Sequence, residues 1–502
     1  MTIGRVEPGG RFVPLRLPRL RSHAAAMLVC VAAITGLRLL WLALQPADLF
    51  PDEAQYWVWS QQLALGYYSK PPLVAWLIAL TTGLFGDSEF AVRLSAPLLH
   101  AGAAIFVYAV GARLFDRRTG FWSALAYASL PGVSVSAFII STDAALLLFW
   151  AAALYAFIRA RENGGWGWWA AVGLAAGLGL LAKYAMFYWI LSALGFVLLF
   201  SAERRHLGRL LVALGLALLI YSPNFWWNCS NGSVSYLHTR DNAALNGSLF
   251  HPDALLEFFG AQFGVFGPLL FAGLILVTAT PRGFAEPRTR LLAAFALPTL
   301  AMMLAVSFLS RAHANWAAPT YVSATVLVVA WALQRGWRRV IAFSIALHLV
   351  AIALLFTGRE TLAAFGIELP AQYDALRRLR GWRDLGSQAG AALAAHPGLT
   401  LFADDREVLA ALIYYIRPHP LDAVKWKITA RIQDQWDLTN GLSKRLGGSF
   451  LLVSEHELIN EMRPSFAEID RLQSIVVPLG PGASHTYTLY VARDFKGYPP
   501  GR

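Results

Sequence analysis

The sequence predicts a polytopic α-helical membrane protein that ends in a small soluble α/β domain. Three observations carry this. Hydrophobic residues fill 57% of the 502 positions against 14% charged, at a mean hydropathy of +0.49, whereas soluble domains carry roughly 25% charged residues. Apolar windows near the roughly 20 residues that cross a bilayer recur eleven times, at about 24–44, 93–113, 120–140, 143–160, 166–182, 185–201, 207–225, 257–279, 290–309, 316–333 and 338–357. After Phe356 the composition changes, and residues 358–502 hold 16 of the 30 acidic and 17 of the 42 basic residues.

The connections between the eleven predicted spans fall into two alternating sets. One set contains Arg5, Arg11, Arg16, Arg19 and Arg21, then Arg113, Arg117 and Arg118, Arg159 and Arg161, Arg204, Arg205 and Arg209, Arg282, Arg288 and Arg290, and Arg335, Arg338 and Arg339. Apart from the C-terminal region, the other set has only Lys70, Arg93, Lys183, Arg240 and Arg311, so 19 positive charges against 5 place residues 1–23 in the cytoplasm. An odd number of spans sends the C-terminus to the outside. The first apolar window is too long for a cleaved signal and ends without a small-residue cleavage site. The expected organisation is therefore a cytoplasmic segment 1–23, a membrane domain 24–357 with its first outer loop at 45–92, and an outer soluble domain 358–502. In that last domain LTLFADD, SFLLVSE and TYTLYVARDF read as strands, and EVLAALIYYI has helical spacing.

The basic excess sits in membrane-flanking loops, which argues against nucleic acid as a partner. Cys30 and Cys229 have no CxxC spacing, and His238, His251 and His313 have no metal-ligand spacing. The chain has no Walker loop, no GxGxxG between a strand and a helix, and no matched halves with broken helices, which disfavours an ATP-driven pump and a secondary transporter. Asn228, Asn231 and Asn246 open glycosylation sequons, which matter only in a eukaryotic lumen.

The informative polar residues lie on the outer face. Asp52 and Glu53 head an aromatic segment with Tyr56, Trp57 and Trp59. A partly desolvated carboxylate there suits proton abstraction from a hydroxyl, while Pro-Asp-Glu is equally a helix opening; one residue can cap while its neighbour reacts. Lys70, before Pro71-Pro72, suits a phosphate or a lipid headgroup. Asp143 opens the fourth span as a cap or a cavity residue, and Lys183 lies at membrane depth in a short turn. Arg311, His313 and Asn315 share one connection, where an arginine fork suits bidentate phosphate recognition. Arg38, inside the first span, either lines the same cavity or snorkels.

PDEAQYW, GYYSKPPLVAWL and LFGDSEFAVRL in the first outer loop, followed in order by STDAALLLFW, LLAKYAMF and SRAHANWAAPTY, resemble the GT-C glycosyltransferases of the protein O-mannosyltransferase superfamily. The similarity is to the bacterial branch with the lipid A aminoarabinose transferases and the lipopolysaccharide galacturonosyltransferases, and it covers about residues 24–335. It implies an inverting transferase of the bacterial inner membrane that takes a sugar from a polyprenyl-phosphate donor at the periplasmic face and passes it to a lipid A or core-oligosaccharide acceptor. On that resemblance Asp52 is the general base and Glu53, grouped with it as catalytic, orients the loop. Lys70, Lys183 and Arg311 would neutralise the leaving phosphate, and Asp143, Tyr56, Tyr68 and His313 would contact substrate. The aminoarabinose transferases carry an acidic residue before the lysine of the KP motif, whereas this chain has Ser69, so their sugar and any divalent ion held there do not carry over; no cofactor is assigned, and a divalent metal ion stays open. The competing readings are a protein O-glycosyltransferase, for which no peptide-groove motif is seen, and a polyprenyl-lipid flippase, which would need the cations but no outer base.

Overall fold

The computed structural model describes residues 4–6, 12–14, 22–244, 247, 249–280, 283–429, 431–455 and 458–499. Arg11, Arg16, Arg19, Arg21, Arg282 and Asn246 lie outside the described residues, as does most of the segment 1–23. Two three-residue strands, β1 (Gly4–Val6) and β2 (Phe12–Pro14), pair antiparallel ahead of the helices.

The protein is a multi-pass helical membrane protein with a C-terminal β-sheet domain. Helix α1 (His23–Leu44) starts where the Ser22 hydroxyl accepts from the Ala25 amide, and its Leu28, Leu37, Leu40 and Leu44 face outward as an apolar surface suited to lipid. The first outer loop folds into α2 (Pro51–Ser60), α3 (Leu73–Phe85) and α4 (Glu89–Arg93), the last running on into α5 (Ser95–Leu114). Next come α6 (Arg117–Ser129), α7 (Pro131–Ser136), α8 (Thr142–Asn163), α9 (Trp166–Ala182) and α10 (Met186–Leu199). They are followed by α11 (Leu207–Ser230), α12 (Val234–Asn242), α13 (Pro252–Val265), α14 (Pro268–Ala279), α15 (Pro287–Leu309), α16 (Thr320–Gln334) and α17 (Arg338–Ala364).

Among the described residues six helices are long and apolar enough to cross a bilayer, or seven if α13 and α14, bent by 116° at Phe266-Gly267, form one broken span. The remaining expected spans fall on shorter pieces. α9, α10 and α16 have 17, 14 and 15 residues, below the roughly 20 that a bilayer core asks for, and the window 120–140 is split where Pro131 ends α6. The apolar helix α3, by contrast, lies inside what reads in sequence as an outer loop. α16 is buried on every face from Thr320 to Ala332 and forms the centre of the bundle.

Beyond α17 the C-terminal domain supplies α18 (Trp382–Ala395), β3 (Thr400–Ala403), α19 (Arg406–Tyr415), β4 (Val424–Lys425), α20 (Gln435–Thr439), β5 (Phe450–Ser454), β6 (Phe466–Gly480) and β7 (Ala483–Phe495). The sheet order is β4-β3-β5-β7-β6, with β3 parallel to β4 and β5, and β7 antiparallel to β5 and β6. The three expected strands and the expected helix are β3, β5, β7 and α19. One face of the sheet shares a hydrophobic core with the first outer loop: Val408, Leu412 and Ile413 cluster with Leu49, Ala54 and Trp57. The domain is thus docked on α2.

Small residues set some of the close helix contacts. Gly111 of α5 and Gly120 of α6 meet so tightly that a Cβ on Gly120 would lie 2.6 Å from the Tyr108 carbonyl oxygen and 2.9 Å from the Ala112 nitrogen, the close backbone approach that small residues allow in membrane helices. Gly120→Leu is expected to cost about 2 kcal/mol or more through overpacking, read as a lower melting temperature in detergent, while the same change at Gly195, with nothing within 4 Å of its Cβ, leaves it unchanged.

Candidate active site

The site is assembled around the start of α2. Pro51 occupies the first turn, and Glu53 turns back to accept the Phe50 amide at 2.8 Å. Glu53 also accepts from the Ile140 amide at 2.8 Å and from Arg93 through Nε at 2.9 Å and Nη2 at 2.6 Å; both side chains of this ion pair are fully buried. Arg93 spends its remaining donors on the carbonyls of Ala47 and Asp48, at 3.1 and 2.7 Å. Every strong polar contact of Glu53 is therefore internal.

Asp52, one residue earlier, turns the other way. Its side chain is 41% exposed and pairs through Oδ1 with Arg406 Nη1 at 3.0 Å. The carboxylate is thus partly shielded; Tyr56 lies near enough to feel its charge, while Trp57 packs on Tyr414 and His419 and Trp59 stacks on Tyr67. Tyr56 is buried one turn along α2, and its phenol is held protonated by burial first and by the Asp52 charge second.

A second group gathers where α8 begins. Ser141 caps the helix, and Asp143 pairs with Lys183 Nζ at 2.6 Å and accepts from Asn315 Nδ2 at 2.9 Å. Asp143 is thus both in the first turn and at the edge of a cavity, and the turn between α9 and α10 and the segment after α15 converge on it. Lys70 Nζ makes no ion pair or hydrogen bond among the described residues, and neither does Arg311. Burial, then repulsion from Lys183, lowers the proton affinity of Lys70, while Asp52 and Asp143 oppose the shift. Desolvation, then the charges of Arg311, Lys70 and Lys183, lowers that of His313. These positions therefore form one electrostatic neighbourhood containing Asp52, Asp143, Lys70, Lys183, Arg311 and His313. Tyr68 lies at its rim, with its amide on Gln435 Oε1 at 2.8 Å and its ring against His238 at 5.0 Å. Burial, followed by the charges of Lys70 and Arg406, lowers the pKa of His238 to about 4, so the imidazole is neutral at neutral pH.

Below Asp143 a cavity of about 570 Å³ opens between α6, α7, α8, α13, α16 and α17. Its walls are largely apolar, with Leu130, Val133, Leu147 and Ile352 among them, and Asp143, His313 and Asn315 stand at its polar end. Arg38 neither lines this cavity nor snorkels. It donates to the Ala128 carbonyl and to Ser134 Oγ, and Ala128 is among the last four carbonyls of α6, which have no partner within the helix.

A divalent ion does not suit this donor set. Ser69 offers a hydroxyl where a carboxylate would be needed, Asp52 and Asp143 are each engaged by a cation, and among the described residues no three His, Cys, Asp or Glu side chains converge. The sequence reading missed Arg406 and Gln55, whose amide oxygen accepts from Arg406 Nη1 at 2.9 Å. No local pattern marks a contact across 354 positions of chain.

Residues 69–227 match the family described as dolichyl-phosphate-mannose-protein mannosyltransferase. The lipid A galacturonosyltransferase RgtD of Rhizobium johnstonii is 34% identical over 393 residues, covering 78% of this chain and 82% of that protein. The undecaprenyl phosphate-alpha-4-amino-4-deoxy-L-arabinose arabinosyl transferase of Pseudomonas aeruginosa PAO1 is 33% identical over 196 residues, which span 34% of this chain and only 35% of the relative. In three dimensions the chain is similar to ArnT from Cupriavidus metallidurans in the apo state, with TM-score 0.62 at 17% identity, covering 94% of this chain and 98% of that one. The form bound to undecaprenyl phosphate gives 0.61 at 18%, over 93% and 98% of the two chains. Fold and sequence together define a GT-C membrane glycosyltransferase. The chain belongs to the family that holds the lipid A galacturonosyltransferases and, more distantly, the aminoarabinose transferases.

Because Glu53 and Arg93 are wholly buried, Glu53→Gln leaves an uncompensated guanidinium, a loss of about 3–5 kcal/mol visible as a collapse in yield and melting temperature. Asp52→Asn, at a half-open position, keeps both at wild-type values.

Proposed function

We propose that the protein is an inverting glycosyltransferase that moves a sugar from a polyprenyl-phosphate carrier to lipid A or the lipopolysaccharide core at the periplasmic face of the inner membrane. One observation carries the reading: Lys70, which feels the charges of Asp52 and Asp143, and Arg311, which acts on His313, have no acidic partner among the described residues, and Asp143 and His313 stand at the polar end of a largely apolar cavity. An amphiphile with a phosphate head and a hydrocarbon tail fits that distribution of charge and apolar wall.

On this reading the tail lies along the apolar wall and the phosphate meets Lys70 and Arg311, with Lys183 held nearby by Asp143. The acceptor hydroxyl oxygen attacks the anomeric carbon from the face opposite the phosphate, its proton passes to Asp52, and the carbon–oxygen bond to the phosphate breaks. The charge that grows on the leaving phosphate is met by preorganised cations, usually the largest catalytic contribution. Where the acceptor is itself a phosphate, no proton is removed and Asp52 serves to orient it. Tyr56, Tyr68, Asp143 and His313 border the space for sugar and acceptor. The sugar we infer is a hexuronic acid, on the likeness to the lipid A galacturonosyltransferase RgtD and because Ser69 stands where the aminoarabinose transferases carry an acid. The eleven-span topology, with a cytoplasmic N-terminus and a periplasmic sheet domain, is the arrangement that the 19-to-5 charge asymmetry favours. A flippase would require the cations but gives no role to Asp52, and a protein acceptor would need a groove that the sequence does not announce.

Mass spectrometry of lipid A and core oligosaccharide from cells lacking the protein tests this directly. Wild type restores one hexuronic acid residue, whereas Asp52→Asn, slowed roughly a thousandfold as expected for loss of a general base, does not. Unchanged glycolipids would overturn the acceptor assignment, and a well-expressed Asp52→Asn with normal product would remove the base. Lys70 must carry its proton to attract a phosphate, and its proton affinity is already lowered. Affinity for undecaprenyl phosphate, followed by tryptophan fluorescence, is therefore expected to fall between neutral pH and about pH 10. In Lys70→Met it is weaker throughout, and that fall is smaller.

A further inference from the structure

We infer that Arg406 of the C-terminal domain is a positioning residue of the active site, fixing one oxygen of Asp52 so that the other faces the acceptor; this rests on Asp52 being the base. The placement is built in from both sides. Asp405 accepts from the Glu407 and Val408 amides and so starts α19 at Arg406, and α19 is then pressed against α2 by the shared core of Val408, Leu412, Ala54 and Trp57. The docking is pinned by polar contacts at the same interface: Tyr415 Oη accepts from the Leu49 amide at 2.7 Å, and Asp48 Oδ2 accepts from the Trp382 amide at 2.9 Å. From this rigid seat Arg406 Nη1 donates to Asp52 Oδ1 at 3.0 Å and to Gln55 Oε1 at 2.9 Å, two acceptors three residues apart on one face of α2, while Nη2 reaches Glu407 Oε1 at 3.3 Å.

The charge balance separates this arginine from the other cations. Two carboxylates and an amide already engage Arg406, whereas Lys70 and Arg311 have no acidic partner among the described residues. Arg406 is accordingly occupied in holding the carboxylate, and the phosphate is left to the others. Asp52 Oδ2 has no hydrogen-bond partner among the described residues, so it is the oxygen open to a proton. The pair is 37% and 41% exposed, and ion pairs that open contribute little to stability. A change in activity on breaking it therefore reports on catalysis rather than folding.

The test measures kcat, donor KM and melting temperature for wild type, Arg406→Gln, Arg406→Lys and Asp52→Asn. It uses full-length purified protein with a polyprenyl-phosphate-linked hexuronic acid and lipid A. Arg406→Gln is expected to lower kcat roughly 10- to 100-fold, the size of effect a small misplacement produces. Its donor KM stays within about threefold and its melting temperature within about 2 °C. Arg406→Lys, which can still pair with Asp52, recovers part of the lost kcat without changing KM. An inactive Asp52→Asn beside a fully active Arg406→Gln would overturn the proposal while leaving the base in place. A tenfold rise in donor KM at unchanged kcat would also overturn it, making Arg406 a ligand of the donor. An active Asp52→Asn would remove the base and, with it, the role assigned to Arg406.

Discussion

The buried pair between Glu53 and Arg93 is the joint on which the outer face depends. A carboxylate and a guanidinium with no access to solvent are tolerable only when well hydrogen-bonded, and here each nitrogen and oxygen of the pair has a partner, through each other and through amides and carbonyls at positions 47, 48, 50 and 140. The start of α2, the loop before it and the loop before α8 are thereby locked into one unit. Asp52 inherits its direction from that lock: with its neighbour turned inward, the helix start leaves it turned outward.

The cations and the cavity follow a complementary logic. Lysine and arginine are costly at membrane depth unless they are paired, reach water or await an anion. Lys183 is paired with Asp143, Arg38 is satisfied by a carbonyl and a hydroxyl, and the side chains of Lys70 and Arg311 have no hydrogen-bond or ion-pair partner among the described residues. That charge acts on Asp143 and His313, which stand at the polar end of the apolar cavity. The same arrangement accounts for a membrane-embedded enzyme without a nucleotide-binding loop, since a carrier lipid brings the activated sugar from within the bilayer.

Much of this was legible in the chain and part of it was not, for physical reasons. The polar residues that matter lie in short motifs beside helix starts, so Asp52, Lys70, Asp143, Lys183 and Arg311 could be picked out, and the alternating strands of the C-terminal domain announced themselves by pattern. Hydropathy does not measure helix length once a proline intervenes, and windows such as 120–140 and 257–279 read as continuous although Pro131 and Gly267-Pro268 divide them. The opposite orientations of Asp52 and Glu53 were hidden as well, because adjacent helical residues point about 100° apart and only the partner, Arg93, shows which one faces in. Arg406 was invisible since a contact between distant elements leaves no local trace.

The docking of α19 on α2 also bears on how the enzyme comes into being. Residues on either side of that seam are separated by some 350 positions, so the first outer loop is made early and its complementary surface near the end of synthesis. Until the last domain has been delivered and folded, Leu49, Ala54 and Trp57 lack the apolar cover they have in the finished protein, and Asp52 lacks its guanidinium. In a chain already threaded through the bilayer, the outer loop therefore waits for the later domain to supply the surface that covers it.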